Sequence, residues 1–227
     1  MSELAGRTVV VVGADGALGS ALCGGAIAAG AGVVGFERHI PPPERCRDGV
    51  RYVQIDVLDD AALGAAFDEV GSVWAVLNVV GGFAGARPFL DFDAAELEAQ
   101  VRLNVTTAAL LTKHALRVMV PAGEGRIVHT ASRAALVTEG SGFAYSVSKL
   151  AVLHLVQMAA RENRETGVTI NAVVPSIMDT PANRASMPNA DHARWPKVED
   201  VAAAYLWLAS PAAHLVTGAS LPVSGRT

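Results

Sequence analysis

The feature that most constrains this chain is a run near its start, Thr8-Val9-Val10-Val11-Val12, four valines without a break. β-Branched residues favour strands, and a strand apolar at successive positions has both of its faces buried. Six further short runs share this character: residues 33–36, 52–55, 73–77, 126–130, 168–174 and 219–223. Between them lie segments 17–29, 60–70, 94–120, 143–165 and 198–209, whose apolar residues recur at helical spacing. Doubly buried strands alternating with helices predict an α/β fold. The expected form is a single doubly wound domain over residues 1–227, its mostly parallel seven-stranded sheet covered by helices on both faces.

Composition raises one rival reading. Hydrophobic residues make up 51% of the 227 and charged residues only 18%, where about 25% is usual. Residues 16–36 are 21 consecutive uncharged positions, long enough to span a bilayer. Seven of them are glycines, and Asp15 and Glu37 stand at the edges, so a loop, a helix and a strand of a water-soluble core fit better. Glu3, Arg7 and Asp15 interrupt any apolar N-terminal signal, and a cytoplasmic location is expected. A net charge of −4 and a pI near 5.8 give no basic footprint for nucleic acid. Cys23 and Cys46 form no disulfide framework, and no Cys/His group has zinc spacing. The expected partner is a small molecule, with neither metal, nucleic acid nor membrane.

Ligands of open parallel sheets bind at the carboxyl ends of the strands. The first strand is followed by Gly13-Ala14-Asp15-Gly16-Ala17-Leu18-Gly19; the second ends at Glu37, the third at Asp56 and the fourth at Asn78. Ser132 follows the fifth, and Pro175-Ser176-Ile177-Met178-Asp179-Thr180 the sixth. Gly13, Gly16 and Gly19 would let the backbone approach a pyrophosphate, whose charge the amide-rich start of a helix favours. The same glycines also suit a strand-to-helix turn that needs only positive φ. Glu37 is placed to accept both ribose hydroxyls of NAD and to repel a 2′-phosphate by roughly 1–4 kcal/mol. Asp15 adds to that repulsion and Arg38 opposes it. NAD(H) is the expected cofactor, NADP(H) the alternative.

Tyr145-Ser146-Val147-Ser148-Lys149 opens the fourth helical segment, and a spacing of four puts Tyr145 and Lys149 on one face. A free tyrosine, with a pKa near 10, is only about 0.1% ionised at pH 7. A neighbouring ammonium and the positive ring of an oxidised nicotinamide would favour the phenolate, making Tyr145 an acid/base. Y-x-x-x-K alone occurs by chance often enough that a surface helix is the better reading.

Two more residues change that balance: Ser132, thirteen before Tyr145, and Asn104, twenty-eight before Ser132. With them the chain resembles the short-chain dehydrogenases/reductases over residues 6–225. The resemblance implies a Rossmann-type domain that moves hydride between a nicotinamide and a carbonyl or alcohol. It assigns proton transfer to Tyr145, the nicotinamide ribose and a lowered tyrosine pKa to Lys149, and the substrate oxygen to Ser132. Asn104 would bend its helix and hold a relay water. Cofactor contacts are implied at Gly13, Asp15, Gly16, Leu18, Gly19 and Glu37, with Asp56 at the adenine amino group and Val57 on its ring. Further contacts fall on Asn78, Val79 and Gly81, on Tyr145 and Lys149, and on Pro175, Met178 and Thr180 near the carboxamide. Pairing through the long apolar helices implies a homodimer or homotetramer.

Three positions depart from the family pattern: Ala17 in the glycine loop, Val79-Val80 for Asn-Ala, and Ser176 for the glycine after Pro175. The loop, Val79-Val80-Gly81-Gly82 and residues 179–184 look like dihydropteridine reductases, which lack the serine that Ser132 supplies. A carbonyl/alcohol enzyme is therefore the leading reading. A pterin reductase and a dinucleotide sensor without turnover are the alternatives. Arg133 is a candidate for an anionic substrate, and Asn183 and Arg184 for substrate contact or for tethering their segment. His129 and His154 read as structural, and Trp74, Trp195 and Trp207 as packing residues. Specificity is expected in loops near 82–92, 133–143 and 181–197, the last a compact cover over a small, open pocket.

Overall fold

The computed structural model describes residues 3–83, 87–137 and 142–227; the expected specificity loops near 82–92 and 133–143 therefore lie partly outside the described residues. Seven strands form one sheet: β1 (Thr8–Val12), β2 (Gly32–Glu37), β3 (Val50–Gln54), β4 (Ala75–Asn78), β5 (Gly125–Thr130), β6 (Val168–Pro175) and β7 (Ser220–Val223). Their order is β3-β2-β1-β4-β5-β6-β7, and every pairing is parallel. The order reverses between β1 and β4, which opens a crevice above their carboxyl ends.

Side chains alternate across a strand, so the valines of β1 supply both layers. Val10 and Val12 pack with Leu63, Phe67, Leu111 and Val156. Those residues come from α2 (Asp60–Val70), α4 (Thr107–Ala122) and α5 (Phe143–Glu162). Val9 and Val11 pack with Leu18, Leu22, Tyr205 and Leu208, from α1 (Ala17–Ala28) and α7 (Val198–Ala209). All four valines are fully buried, worth about 1.5–3 kcal/mol each. Residues 16–36 resolve into the glycine loop, α1 and β2, as the glycine content suggested. By length and composition α5 would also cross a bilayer. Here it packs along β6 and buries Ser148, Lys149, Val152 and Val156.

Three boundaries differ from the sequence reading. Segment 94–120 is not one helix: α3 (Ala94–Gln100) passes through a π-helical turn, Val101–Thr106, into α4. Helix α5 stops at Glu162, where the Asn163 side chain donates to the Ala159 carbonyl at 2.8 Å. A short helix absent from the periodicity, α6 (Pro181–Ser186), starts because Thr180 caps it through the Asn183 amide and Pro181 takes its first position.

Candidate active site

The first half of the crevice is built on backbone. Gly13 has φ +87°, which lets the chain turn back from β1. Gly19 lets α1 sit on that turn, since a Cβ there would fall 1.9 Å from the Gly13 carbonyl oxygen. Gly16 caps α1, and no side chain accepts from the first-turn amides or places a carboxylate beside them. A loop of this shape ending in uncapped helical amides fits a pyrophosphate. Leu18 is buried in the core and has only its backbone to offer. Val79 and Val80, departures in the sequence pattern, fill the space over Gly13, 3.3 and 3.2 Å from where its Cβ would be.

Two carboxylates fix the loop. Glu37 Oε1 accepts the Asp15 amide at 2.5 Å, and burial beside Asp15 pushes the Glu37 pKa up. Asp15 itself is gripped by both branches of Arg45, a residue the sequence did not single out. Its charge is matched there, so the repulsion expected from Asp15 toward a 2′-phosphate is largely cancelled. Beyond Glu37 lies a cleft of about 580 Å³ lined by Arg38, His39, Ile55 and Asp56 among others. Asp56 is exposed there and accepts the Leu58 amide at 3.0 Å. Val57 instead joins the core beneath α2, so its side chain has little surface for an adenine ring.

The second half is built from buried polar side chains. The π-helical turn carries Asn104 inward, 2% exposed, rather than toward solvent. Its Nδ2 donates to Gln100 Oε1 and Ser148 Oγ, both at 3.0 Å, and more weakly to the Gly82 carbonyl at 3.4 Å. Its Oδ1 accepts the Gly82 amide at 3.3 Å. Ser148 passes the connection on by donating to the Tyr145 carbonyl at 2.8 Å. Lys149 is 3% exposed, and Nζ donates to the Thr130 carbonyl at 2.9 Å. A Cβ on Gly81 would lie 2.7 Å from Asn104 Oδ1 and 2.8 Å from Lys149 Nζ. Both polar groups therefore converge on this glycine, and only a residue without a side chain leaves room for them.

Ser132 and Tyr145 meet across the turn after β5. Ser146 Oγ donates to the Ala134 carbonyl at 2.5 Å, which pins the start of α5 to that turn. Burial raises the Tyr145 pKa and the neighbouring Ser132 hydroxyl lowers it; the lowering by Lys149 that the spacing suggested is not seen. Nζ lies 5.9 Å from the tyrosine ring centre, and burial has brought the Lys149 pKa itself down to about 8.

His129 behaves as the structural residue expected. It is fully buried, with a pKa pushed down to about 4 by burial and by Lys149. Asn78 Nδ2 donates to its Nδ1 at 3.1 Å, and its Nε2 donates to Thr112 Oγ1 at 2.9 Å. Thr112 must accept, because its own proton goes to the Ala108 carbonyl at 2.8 Å. The ring thus holds Asn78, whose Oδ1 accepts the Val80 amide at 3.1 Å. His154, in contrast, is exposed on α5 and is not the structural histidine expected there.

The cover segment is small and tied down. The Asp179 amide donates to the Pro196 carbonyl at 2.9 Å and closes its base. Arg184 holds Asp179 through two bonds, at 2.5 and 2.8 Å, and Asn183 Nδ2 donates to the Met178 carbonyl at 2.8 Å. Asn183 and Arg184 are tethers here. Met178 packs against the core, Thr180 caps α6 and Pro175 ends β6. Ser176 donates to the Ser224 carbonyl at 2.9 Å, which gives the serine in place of glycine a role in anchoring the C-terminal segment. The sequence reading missed Ser148, Gln100, Thr130 and Arg45. Of these only Ser148 carried a signal, at i+3 from Tyr145 on the same helical face.

A crevice at a switch point, a glycine loop under an uncapped helix, and a serine, tyrosine and lysine converging beside it define a dinucleotide-binding domain with an acid/base site. Residues 7–191 match the short chain dehydrogenase family. The chain is 34% identical over 186 residues to the cis-4-hydroxycyclohexanecarboxylate dehydrogenase of Sinomonas cyclohexanicum, covering 77% of this chain and 75% of that one. It is 35% identical over 193 residues to the secoisolariciresinol dehydrogenase of Forsythia intermedia, covering 77% and 70%. A short-chain type dehydrogenase/reductase from Mycobacterium ulcerans has the same fold, with a TM-score of 0.90 at 30% identity over 98% of this chain and 90% of that one. The chain belongs to the short-chain dehydrogenase/reductase family and is an NAD(P)-dependent oxidoreductase.

Proposed function

We propose that this chain, acting as one cofactor-binding and catalytic domain, interconverts an alcohol and a carbonyl compound with NAD(H), using Tyr145 as the acid/base. The meeting of Asn104 and Lys149 at Gly81, with Tyr145 near Lys149 and Ser132 near Tyr145, carries this reading. The glycine loop and the first turn of α1 would hold the pyrophosphate, Glu37 the adenosine ribose, and Lys149 with Tyr145 the nicotinamide ribose. Asp56 would face the adenine, and Asn78, Val79 and Gly81 would back the middle of the cofactor. Pro175, Met178 and Thr180 would line its carboxamide end. When bound, the nicotinamide supplies or accepts hydride at the substrate carbon.

The protein's own part is proton handling and orientation. Ser132 donates to the substrate oxygen and fixes it beside the Tyr145 hydroxyl. In reduction Tyr145 gives its proton to that oxygen; a raised pKa keeps the proton available. In oxidation it takes the alcohol proton, which requires the phenolate, favoured by Lys149 and by a positive nicotinamide ring. Asn104, locked between Gln100, Ser148 and Gly82, holds the near end of a relay through which Tyr145 recovers its proton. The presence of Ser132 next to Tyr145 supports this chemistry over a pterin reductase in which Ser132 would be idle.

Glu37 supports NAD(H) over NADP(H), although Arg38 and the Arg45-matched Asp15 reduce the margin. Exposed Val147, Leu150 and Met158 along α5, with Val120 on α4, support pairing into a homodimer or homotetramer. A cytoplasmic enzyme acting on a small molecule fits all of these features. A screen of ketones, alcohols and pterins, followed at the nicotinamide absorbance, tests the function, together with fluorescence titrations of NADH and NADPH. The reading expects turnover of alcohols or ketones and tighter NADH binding. Turnover confined to a quinonoid pterin and insensitive to Ser132→Ala would overturn the reaction assigned, and tighter NADPH binding the cofactor assigned.

A further inference from the structure

Among the described residues, one exposed apolar side chain meets Tyr145 directly and others rise from the same edge of the sheet. Phe83, just past Gly82 at the end of β4, is 65% exposed. Its ring stands edge-on to Tyr145, with centres 5.2 Å apart and planes at 81°. Phe143, two residues before Tyr145 at the start of α5, meets Phe89 and Phe92 with ring centres 4.9 and 5.3 Å away. Leu136 follows Ser132 beyond β5 and Ile177 follows β6, and both are exposed. Strands β4, β5 and β6 are neighbours, so these groups rise from one edge of the sheet. Large apolar side chains gathered at a site mark a surface that is covered in use.

Two arginines of this edge are already engaged: Arg184 is held by Asp179, and Arg87 pairs with Glu96 at 3.7 Å. Arg133 has an interaction of its own. A polyol would bury several hydroxyls against these walls, and each buried hydroxyl without a partner is costly. A rigid apolar ring loses no internal rotamers on binding and presents a flat face to Phe83.

We propose that the substrate is a secondary alcohol or ketone on an alicyclic or aromatic framework, that Phe83 is the wall its ring rests on, and that polyols and short acyclic alcohols are poor substrates. The proposal rests on the oxidoreductase reading of the same site and narrows it. In oxidation the carbinol C–H bond breaks and its electron pair leaves as hydride to the oxidised nicotinamide. The hydroxyl proton goes to Tyr145, and the C=O bond forms. Phe83 contacts substrate without taking part in proton transfer, so its substitution should act on ring-bearing substrates alone.

The test compares cyclohexanol, 2-butanol and threitol as substrates of the cofactor-loaded enzyme, in wild type, Phe83→Leu and Phe83→Ala. The expected kcat/KM for cyclohexanol is at least tenfold above that for 2-butanol and about a hundredfold above that for threitol, within the range that hydrophobic fit can supply. Phe83→Ala should lower the cyclohexanol value about tenfold and the 2-butanol value less than twofold, with Phe83→Leu between. Equal losses on both alcohols would show that Phe83 acts only through Tyr145 and would overturn the proposal, as would a preference for threitol. Calorimetric binding of cyclohexanol to the enzyme–NAD complex of Tyr145→Phe separates the two readings. Binding weakened about tenfold by Phe83→Ala supports the ring site even if the intact enzyme turns nothing over, and in that case only the oxidoreductase reading fails. No cyclohexanol binding overturns the ring site.

Discussion

At the ends of β1 to β3 the site is made of backbone shape and exposed charge; at the ends of β4 to β6 it is made of buried polar side chains. In the first half Gly13, Gly16 and Gly19 set the path of the chain, and Asp15, Glu37 and Arg45 hold it at the surface. In the second, Asn104, Ser148, Lys149 and His129 are all within 3% of full burial. Buried polar groups are costly unless each finds a partner, so this half is a network in which one residue fixes the next. In the function proposed above, the first half would accept a pyrophosphate and its adenosine, and the second would place a proton donor, which demands tighter positioning.

Two glycines put that contrast to the test. Gly19→Ala would drive a Cβ into the Gly13 backbone at 1.9 Å. Neither side can yield without moving β1 or α1, so a stability loss of about 3 kcal/mol and loss of cofactor binding are expected, read by thermal melts and NADH titration. Gly81→Ala meets Asn104 Oδ1 and Lys149 Nζ, at 2.7 and 2.8 Å. Side-chain ends can shift, so the expected stability loss is only about 1 kcal/mol, but kcat should fall about a hundredfold because the proton-handling groups are displaced. Equal damage to stability in the two variants would erase the distinction between the halves.

Acid should act on stability alone, through the second half. The His129 pKa in the fold, about 4, lies below the value near 6.5 of an unfolded chain. As pH falls through 6.5 the unfolded chain takes a proton that the folded one refuses, so stability drops until about pH 4. The full contribution is about 3 kcal/mol. Denaturant midpoints at pH 7 and pH 4.5 should show most of this loss, and His129→Gln should flatten the difference between them. The smallest effect belongs to the exposed pair: Arg45→Ala should cost less than about 0.5 kcal/mol in stability. By leaving Asp15 unmatched, it should weaken NADPH binding about twofold to fivefold relative to NADH, a ratio that paired titrations report.

The halves also differ in how much of them the sequence displays. A glycine loop, a carboxylate at a strand end and a run of valines are local patterns, and β1, α1 and Glu37 fall where those patterns put them. Tyr145 and Lys149 share a helical face by their spacing of four, and Ser132 and Asn104 were picked out through the resemblance to the short-chain dehydrogenases/reductases. What binds them together was not. That Asn104 turns inward depends on a π-helical turn, and that Ser148 joins it depends on α3 and α5 packing side by side, neither of which has a period in sequence. Arg45 was hidden for a similar reason, since a surface arginine reads as solvated until its partner across the loop is seen. Phe83 fell inside a loop where specificity was expected, but its exposure beside Tyr145 is a property of the fold alone.

The central claim is that Tyr145 transfers the proton while the glycine-loop half binds cofactor independently of it. Tyr145→Phe removes one oxygen and leaves the ring against Phe83. The account predicts that kcat falls at least about a thousandfold while the NADH dissociation constant stays within about twofold of wild type. Retained turnover in Tyr145→Phe, or a collapse of cofactor binding together with activity, would contradict it.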